Sequence, residues 1–454
     1  MKHFCWLYLA FVMLSGCRAH PLFDWPQPQY FGRDLPSYVP PSKPEAASDS
    51  VPQAFSEPAE LRLRDAMAAA LVHNPELRSF AWEVRAAEAR ALQASLLPNP
   101  EAGVEVENIG GSGAVSGFDG AETTFSISQL FLCGGKLKTR ARLASLDREL
   151  SAFDYETRRV DVLTTVAARF VQLLGAQKRV GIAEEAHEVA ALVFEVVTKR
   201  VEAGDLSPVE QTRSRVTVST SRLALKQTRR NLTAARLRLA ALWSSTAPTF
   251  QIAEGRLESV PDALPTDTTL AALISQNPDI ARWAAQMSKR QTALALARAD
   301  AVPDITVEGG VRHLNDGDDT AFVVGLTLPL PLFDRNQGGR LEAAYNIQKA
   351  HEESRAAENR VRTALSSGYE TLSAAHATVT TLRDDILPNA RSAFEATKTA
   401  FQEGRFGYLD ILDAQRTLIH LEVEYLDALI TFHTAATEVE RLIAQPLDKV
   451  PLSE

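Results

Sequence analysis

Aromatic residues are scarce in this sequence, at 7%, and there are only three cysteines in 454 residues. Few aromatics, with abundant alanine and leucine and charges spread evenly, exclude the usual enzyme core and match long helices or coiled coils. The cysteines cannot build a disulfide framework. Cys5 sits in the amino-terminal apolar stretch, Cys17 directly follows it, and Cys133 is left without a partner. Basic clusters are missing too: the net charge is −9, which leaves no electrostatic footprint for nucleic acid. Past the amino terminus there is no apolar run of about 20 residues, so no transmembrane helix is expected. Catalytic and metal signatures are also lacking. Gly111-Ser112-Gly113 and Gly117 precede no Gly-Lys-Ser/Thr, no His-Glu-x-x-His occurs, and the histidines are scattered. His376 falls on a helical seam, where a hydrogen-bonded interior histidine is expected rather than a metal ligand. Neither an enzymatic reaction nor a cofactor is implied.

The amino terminus carries an export signal. Lys2 and His3 are basic, Phe4 to Met13 are apolar over about ten residues, and Leu14-Ser15-Gly16-Cys17 follows. This resembles a bacterial lipobox, with cleavage after residue 16 and Cys17 carrying the lipid; the alternative is an ordinary signal peptide. Arg18, where a retained lipoprotein has Asp, favours the outer membrane by the same resemblance. Residues 17–58 hold nine prolines and read as an extended arm behind the anchor.

The rest of the chain is written twice. His73-Asn74-Pro75-Glu76-Leu77 returns as Gln276-Asn277-Pro278-Asp279-Ile280, and Gly134-Gly135-Lys136 as Gly338-Gly339-Arg340. Val201-Glu202-Ala203-Gly204 returns as Phe401-Gln402-Glu403-Gly404. The repeats span 59–245 and 267–445, joined by 246–266 and followed by a tail, 446–454. Each Asn-Pro pair restarts a helix: Asn caps, Pro needs no N–H in the first turn, and Glu76 or Asp279 suits the positive helix end. The helices run to about Leu97 and Ala301, where the pattern switches to period two. Strands are expected at Glu101–Ile109, Thr123–Phe131, Asp304–His313 and Thr320–Leu328, the length of tilted membrane-spanning strands. Four strands cannot sit in lipid as an open sheet, so several chains must share a barrel, and three would supply twelve.

From Lys136 to Ala203 and from Arg340 to Glu403 only Pro388 interrupts the helical pattern. At 1.5 Å per residue each stretch makes a helix of roughly 100 Å. Shorter helices return over Ser207–Trp243 and Tyr408–Ile443. Ile411, Ala414, Leu418, Leu421, Tyr425, Ala428, Phe432, Ala435, Val439 and Leu442 keep the 3-4 spacing of a coiled-coil seam. The fold class is α+β, mostly α.

These features in this order resemble the TolC family of outer-membrane efflux channels. The resemblance implies a homotrimer with a twelve-stranded barrel on a coiled-coil tunnel. It also implies a periplasmic adaptor and an inner-membrane RND-type pump as partners. Pro329-Leu330-Pro331-Leu332-Phe333-Asp334-Arg335-Asn336-Gln337-Gly338 looks like the strand-to-helix junction of the CzcC-like heavy-metal branch. Export of organic compounds or of polypeptides remains the alternative, and a poreless coiled-coil spacer is the rival without a channel. By resemblance, Gly404-Arg405-Phe406-Gly407 lies at the periplasmic tip, and Asp410 and Asp413 match the acidic constriction. Their other reading is as suitable residues for a helix amino terminus. The family often has arginine two residues after the glycine, where Phe406 stands here. Gly204, Asp205 and Leu206 form the matching first tip, with Leu206 and Phe406 expected to be exposed to the adaptor.

Overall fold

The computed structural model describes residues 25–28, 32–42 and 55–451. The expected signal segment, the lipidation candidate Cys17 and the last three residues of the tail lie outside them. In chain order, strand β1 (Glu60–Arg62) leads into helices α1 (Leu63–His73) and α2 (Pro75–Ser95). Strands β2 (Glu101–Glu107) and β3 (Glu122–Phe131) follow, then α3 (Lys136–Glu202), α4 (Pro208–Ala240) and β4 (Ile252–Glu254). The second round is α5 (Asp267–Leu273), α6 (Pro278–Ala299), β5 (Ile305–Leu314), β6 (Asp319–Thr327), α7 (Gln337–Thr381), α8 (Leu387–Gln402) and α9 (Tyr408–Ile443).

Two compact units result, each drawing on both repeats. One comprises residues 25–26 with Glu83–Ala152 and Arg282–Arg355; the other comprises Gln27–Trp82, Phe153–Ala281 and Ala356 onward. In the first, four strands form one antiparallel sheet in the order β2-β3-β5-β6, so the central β3–β5 pair joins the repeats. The register places Val104, Phe125, Val311 and Phe322 in one row, and Ala102, Ile127, Gly309 and Val324 in the next. This face is open to its surroundings, with Phe322 86% and Val324 85% exposed. The opposite face carries Glu101, Glu105, Glu107, Glu122, Glu308 and Asp319. Arg312, on that same face, bonds Glu122 at 2.8 Å, Glu107 at 2.9 Å and Thr124 Oγ1 at 3.0 Å. β2 stops short of Ile109 because Asn108 adopts φ +58° and turns the chain away.

The two strand-to-helix turns differ despite their similar glycines. In the first repeat Gly134 and Gly135 both take positive φ, and Lys136 donates to Asp304 at 2.8 Å. In the second, Asn336 takes the left-handed position at φ +52°, while Gly338 and Gly339 already belong to α7. Asn336 is held there by its amide, which donates to the Ala297 carbonyl at 2.9 Å.

The second unit is a helical bundle. Its α9 seam is followed at both ends, where Ile411, Ala428, Phe432, Ala435, Val439 and Leu442 are buried, while Ala414, Leu418, Leu421 and Tyr425 between them are half-buried. α3 is continuous over 67 residues, whereas its counterpart is divided by a π-helical turn, Leu382–Ile386, between α7 and α8. Pro388 explains the break. A proline lacks the N–H for the carbonyl four residues back and crowds it, and a wider turn relieves both problems.

Each restart asparagine does more than cap. Asn74 Oδ1 accepts the Leu77 N–H and its amide donates to Leu242 O, both at 2.9 Å. Asn277 Oδ1 accepts the Asp279 N–H at 2.7 Å and its amide donates to Leu442 O at 2.9 Å. The same side chain therefore ties a helix start to the end of a return helix in both repeats. The arm residues 32–42 form no helix or strand, in keeping with their prolines, but they are docked. Leu35 is buried, Tyr38 donates its N–H to Leu71 O, and Arg78 lies 4.3 Å over the Tyr38 ring. Arg159, wholly buried, pairs with both carboxylate oxygens of Glu156 and donates to Gly32 O at 3.3 Å.

Candidate functional site

The two helical hairpins end in the same backbone device. At the second, the Gly404 N–H donates to Phe401 O at 3.1 Å and the Arg405 N–H to Ala400 O at 2.8 Å. At the first, the Gly204 N–H donates to Val201 O at 3.1 Å and the Asp205 N–H to Arg200 O at 2.8 Å. This paired 5→2 and 6→1 bonding is a Schellman stop, which needs a left-handed residue at the turn. Gly404 (φ +79°) and Gly204 (φ +85°) supply it, so the glycines recognised in the sequence are backbone requirements.

Beneath the turns Val193, Val197, Phe394, Phe401, Tyr408 and Ile411 form a buried cluster. Tyr408 Oη lies 3.1 Å from Thr217 Oγ1, and the Gln415 amide donates to Ala186 O at 3.2 Å. These contacts join α9 to α3 and α4, and the sequence reading did not single them out. Tyr408 sits just after the turn with a hydroxyl to satisfy, which is the signal that was available.

Leu206 corrects an expectation. It is half-buried and packs on this cluster, because the reversed turn folds it back over the hairpin end. Phe406, its counterpart, stays outside at 47% exposure, and Gly204, Asp205, Arg405 and Gly407 are exposed as well. Arg405 pairs with Glu403 at 3.1 Å.

Asp410 and Asp413 are both exposed on the first turns of α9. Asp410 accepts the Gly407 N–H at 2.8 Å, so it serves as a helix cap whatever else it does. Asp413 lies one turn on, and both border an open groove with Phe406, Leu409, Leu412 and Arg416. Six and nine residues after the first tip glycine stand Glu210 and Arg213, whose charges cancel. The same offsets in the second hairpin give two carboxylates, so the acidic character belongs to one repeat only.

Two histidines have structural partners. His376 Nε2 lies 2.7 Å from Pro261 O and His433 Nε2 lies 2.7 Å from Leu257 O, so both hold the connecting segment. Burial lowers the His433 pKa despite that hydrogen bond. Among the described residues no group of three His, Cys, Asp or Glu side chains is placed to hold a metal ion. Nor is any described helix long and apolar enough to cross a membrane.

Comparison with known proteins returns the duplication. The family pattern of "Outer membrane efflux protein" matches residues 66–245 and again 269–445, one match per repeat. The "Cobalt-zinc-cadmium resistance protein CzcC" of Cupriavidus metallidurans is 33% identical over 385 residues, 85% of this chain and 90% of that protein. The "Nickel-cobalt-cadmium resistance protein NccC" of Alcaligenes xylosoxydans xylosoxydans is 26% identical over 304 residues, 67% of this chain and 68% of that one. A crystal structure of a membrane protein from Pseudomonas aeruginosa superposes with a TM-score of 0.72 at 20% identity, covering 91% of this chain and 98% of that one. With a family match across both repeats and a relative of this identity along most of its length, the chain belongs to the outer membrane efflux protein family.

Proposed function

We propose that this protein is a homotrimeric outer-membrane channel that passes heavy-metal cations outward, fed by a periplasmic adaptor and an inner-membrane RND-type pump. The four-stranded sheet carries this reading. Its two faces are segregated, apolar on one and acidic on the other, and its edge strands β2 and β6 have no further strand partner among the described residues. In lipid such edges leave backbone groups unsatisfied at several kcal/mol each. Membrane barrels begin at about eight strands, so three copies with twelve provide a closed solution.

In that barrel the Val104–Phe322 rows meet acyl chains and the acidic face lines water. Six carboxylates against Arg312 leave a net charge of −5 on this face of each chain. A water-filled duct so lined concentrates cations and repels anions. The metal cations in the names of the relatives CzcC and NccC agree with such a lining. Energy coupling resides in the pump, and the channel conducts passively.

At the tip, threefold repetition of Asp410 and Asp413 makes two carboxylate rings that constrict the periplasmic entrance. Gly204, Asp205, Gly404, Arg405, Phe406 and Gly407 offer the adaptor its contact, with Leu206 contributing only an edge. Cys17 carries the lipid; from there to the docked Gly32 the chain reaches at most about 50 Å.

The test is conductance of the purified protein in planar bilayers under a salt gradient. A reversal potential of cation-selective sign is expected. Anion selectivity, or no conductance from a protein of trimeric mass, overturns the channel reading. Deleting the gene should lower tolerance to cobalt, zinc or cadmium; unchanged tolerance overturns the metal assignment.

A further inference from the structure

The segment that follows β6 is anchored at Asn336 but leaves its apolar side chains exposed among the described residues. Pro329 and Pro331 end strand pairing, and the chain then forms a hook closed by its own polar groups. Arg335 Nε donates to Pro331 O at 3.1 Å and the Gln337 amide to Phe333 O at 3.1 Å. The Asn336 N–H donates to Asp334 Oδ1, and the Arg335 N–H to Gln337 Oε1, each at 2.8 Å. These bonds hold the hook in shape while it presents Leu330, Leu332 and Phe333 outward, Phe333 being 90% exposed. A hook stabilised in this way with its largest apolar groups outside calls for a partner surface.

A matching surface lies at the other edge of the same sheet. Leu92, Leu96 and Leu97, the last 67% exposed, immediately precede β2. The register aligns Glu101 on β2 with Ser128, Glu308 and Gly325, so β2 begins and β6 ends at the same border of the sheet. Within one chain three interstrand spacings of about 4.8 Å separate the two edges. Closing the barrel sets the next copy's β2 antiparallel to β6, and that brings its Leu96 and Leu97 beside this chain's hook.

We propose that the Leu330–Phe333 hook is an intersubunit clasp that packs on Leu92, Leu96 and Leu97 of the adjacent copy at the base of the barrel. The occupant is a second copy of this chain, and the proposal rests on the trimer argued above. The hook's role is to add side-chain contact where backbone pairing between subunits ends. It also determines which edges meet, because the polar-closed hook follows only the β6 edge, while Leu92, Leu96 and Leu97 precede only the β2 edge.

Full-length protein carrying Leu97→Cys and Phe333→Cys in a Cys133→Ser background tests this, purified from outer membranes and oxidised. Bands at two and three times the monomer mass are expected on a non-reducing gel, lost on reduction and absent from either single-cysteine protein. Light scattering of the unoxidised sample separates the two layers of the argument. Trimeric mass without cross-linked bands overturns the clasp alone, and monomeric mass overturns the trimer and the clasp together. A disulfide formed within one chain also overturns the clasp. Lipid is the competing occupant, so Phe333→Trp is reconstituted with brominated phospholipid. The emission that Phe333→Trp adds to the background of Trp25, Trp82, Trp243 and Trp283, taken as the difference from wild type in the same lipid, should fall by less than about a tenth; any larger fall in that added emission assigns the hook to lipid and overturns the proposal.

Discussion

Replacing Glu440 with glutamine should stabilise the protein above neutral pH and leave it unchanged in acid. Glu440 lies near the end of α9, half-buried, and one carboxylate oxygen accepts the Leu447 N–H at 2.8 Å. Burial pushes its pKa up from 4.5 to about 7, the nearby Asp448 adds to the rise, and the Leu447 hydrogen bond opposes both. A folded pKa above the unfolded one means that the folded state prefers the protonated acid. The associated stability is fully present below 4.5 and is lost as the pH rises through 7. At about 1.4 kcal/mol per pH unit the loss approaches about 3 kcal/mol per chain by pH 8. Glutamine keeps the acceptor for Leu447 and cannot ionise. For a chain of this size, with an unfolding entropy near 2 cal/mol/K per residue, about 3 kcal/mol corresponds to roughly 3 °C in Tm. Thermal unfolding of wild type and Glu440→Gln in the same detergent, at pH 5 and pH 8.5, reads this directly. The reasoning fails if the Tm difference is the same at both pH values or if the variant melts lower at pH 8.5.

Other substitutions probe the gate, the repeat and the arm. Asp413→Asn, which spares the cap made by Asp410, should raise single-channel conductance or weaken cation preference; an unchanged current–voltage relation removes Asp413 from the constriction. Asn277→Ala removes a cap and orphans the buried Leu442 carbonyl, and should cost about 2–3 kcal/mol in denaturant unfolding. Asn74→Ala should cost a similar amount, because it breaks the equivalent pair of bonds. Arg159→Ala strands the buried Glu156 carboxylate and should cost roughly 3–5 kcal/mol. It should also expose the arm near Gly32 to added protease, which digestion followed by mass spectrometry would detect.

Much of the fold was legible because the signals were local. Period-two alternation set the strands to within one residue except at Ile109, where the left-handed Asn108 ends β2 two residues early. Pro388 marked the π-helical break between α7 and α8, since a missing N–H is written in the sequence itself. The tip glycines were legible for the same reason: a Schellman stop needs a residue free to take positive φ. The misses were side chains whose roles depend on distant partners. Asn74 and Asn277 read as caps, but their bonds to Leu242 and Leu442 span more than 160 residues. Leu206 read as exposed, and only the turn's reversal shows that it lies on the tip cluster. The docked arm and the perturbed Glu440 were not visible, because burial is a property of the packed chain.

The sequence by itself determined the duplication, the order of the main helices and strands and the insufficiency of four strands, since periodicity, proline, glycine and strand count are properties of order along the chain. Tertiary structure alone decided that β3 pairs with β5, so that the repeats join at the centre of the sheet and the free edges are β2 and β6. It also decided that the acidic residues share one sheet face with Arg312 and that Asp410 is partly committed to its own helix. Pairing, facing and burial depend on which distant segments meet, and that is settled by packing and hydrogen bonding across the fold.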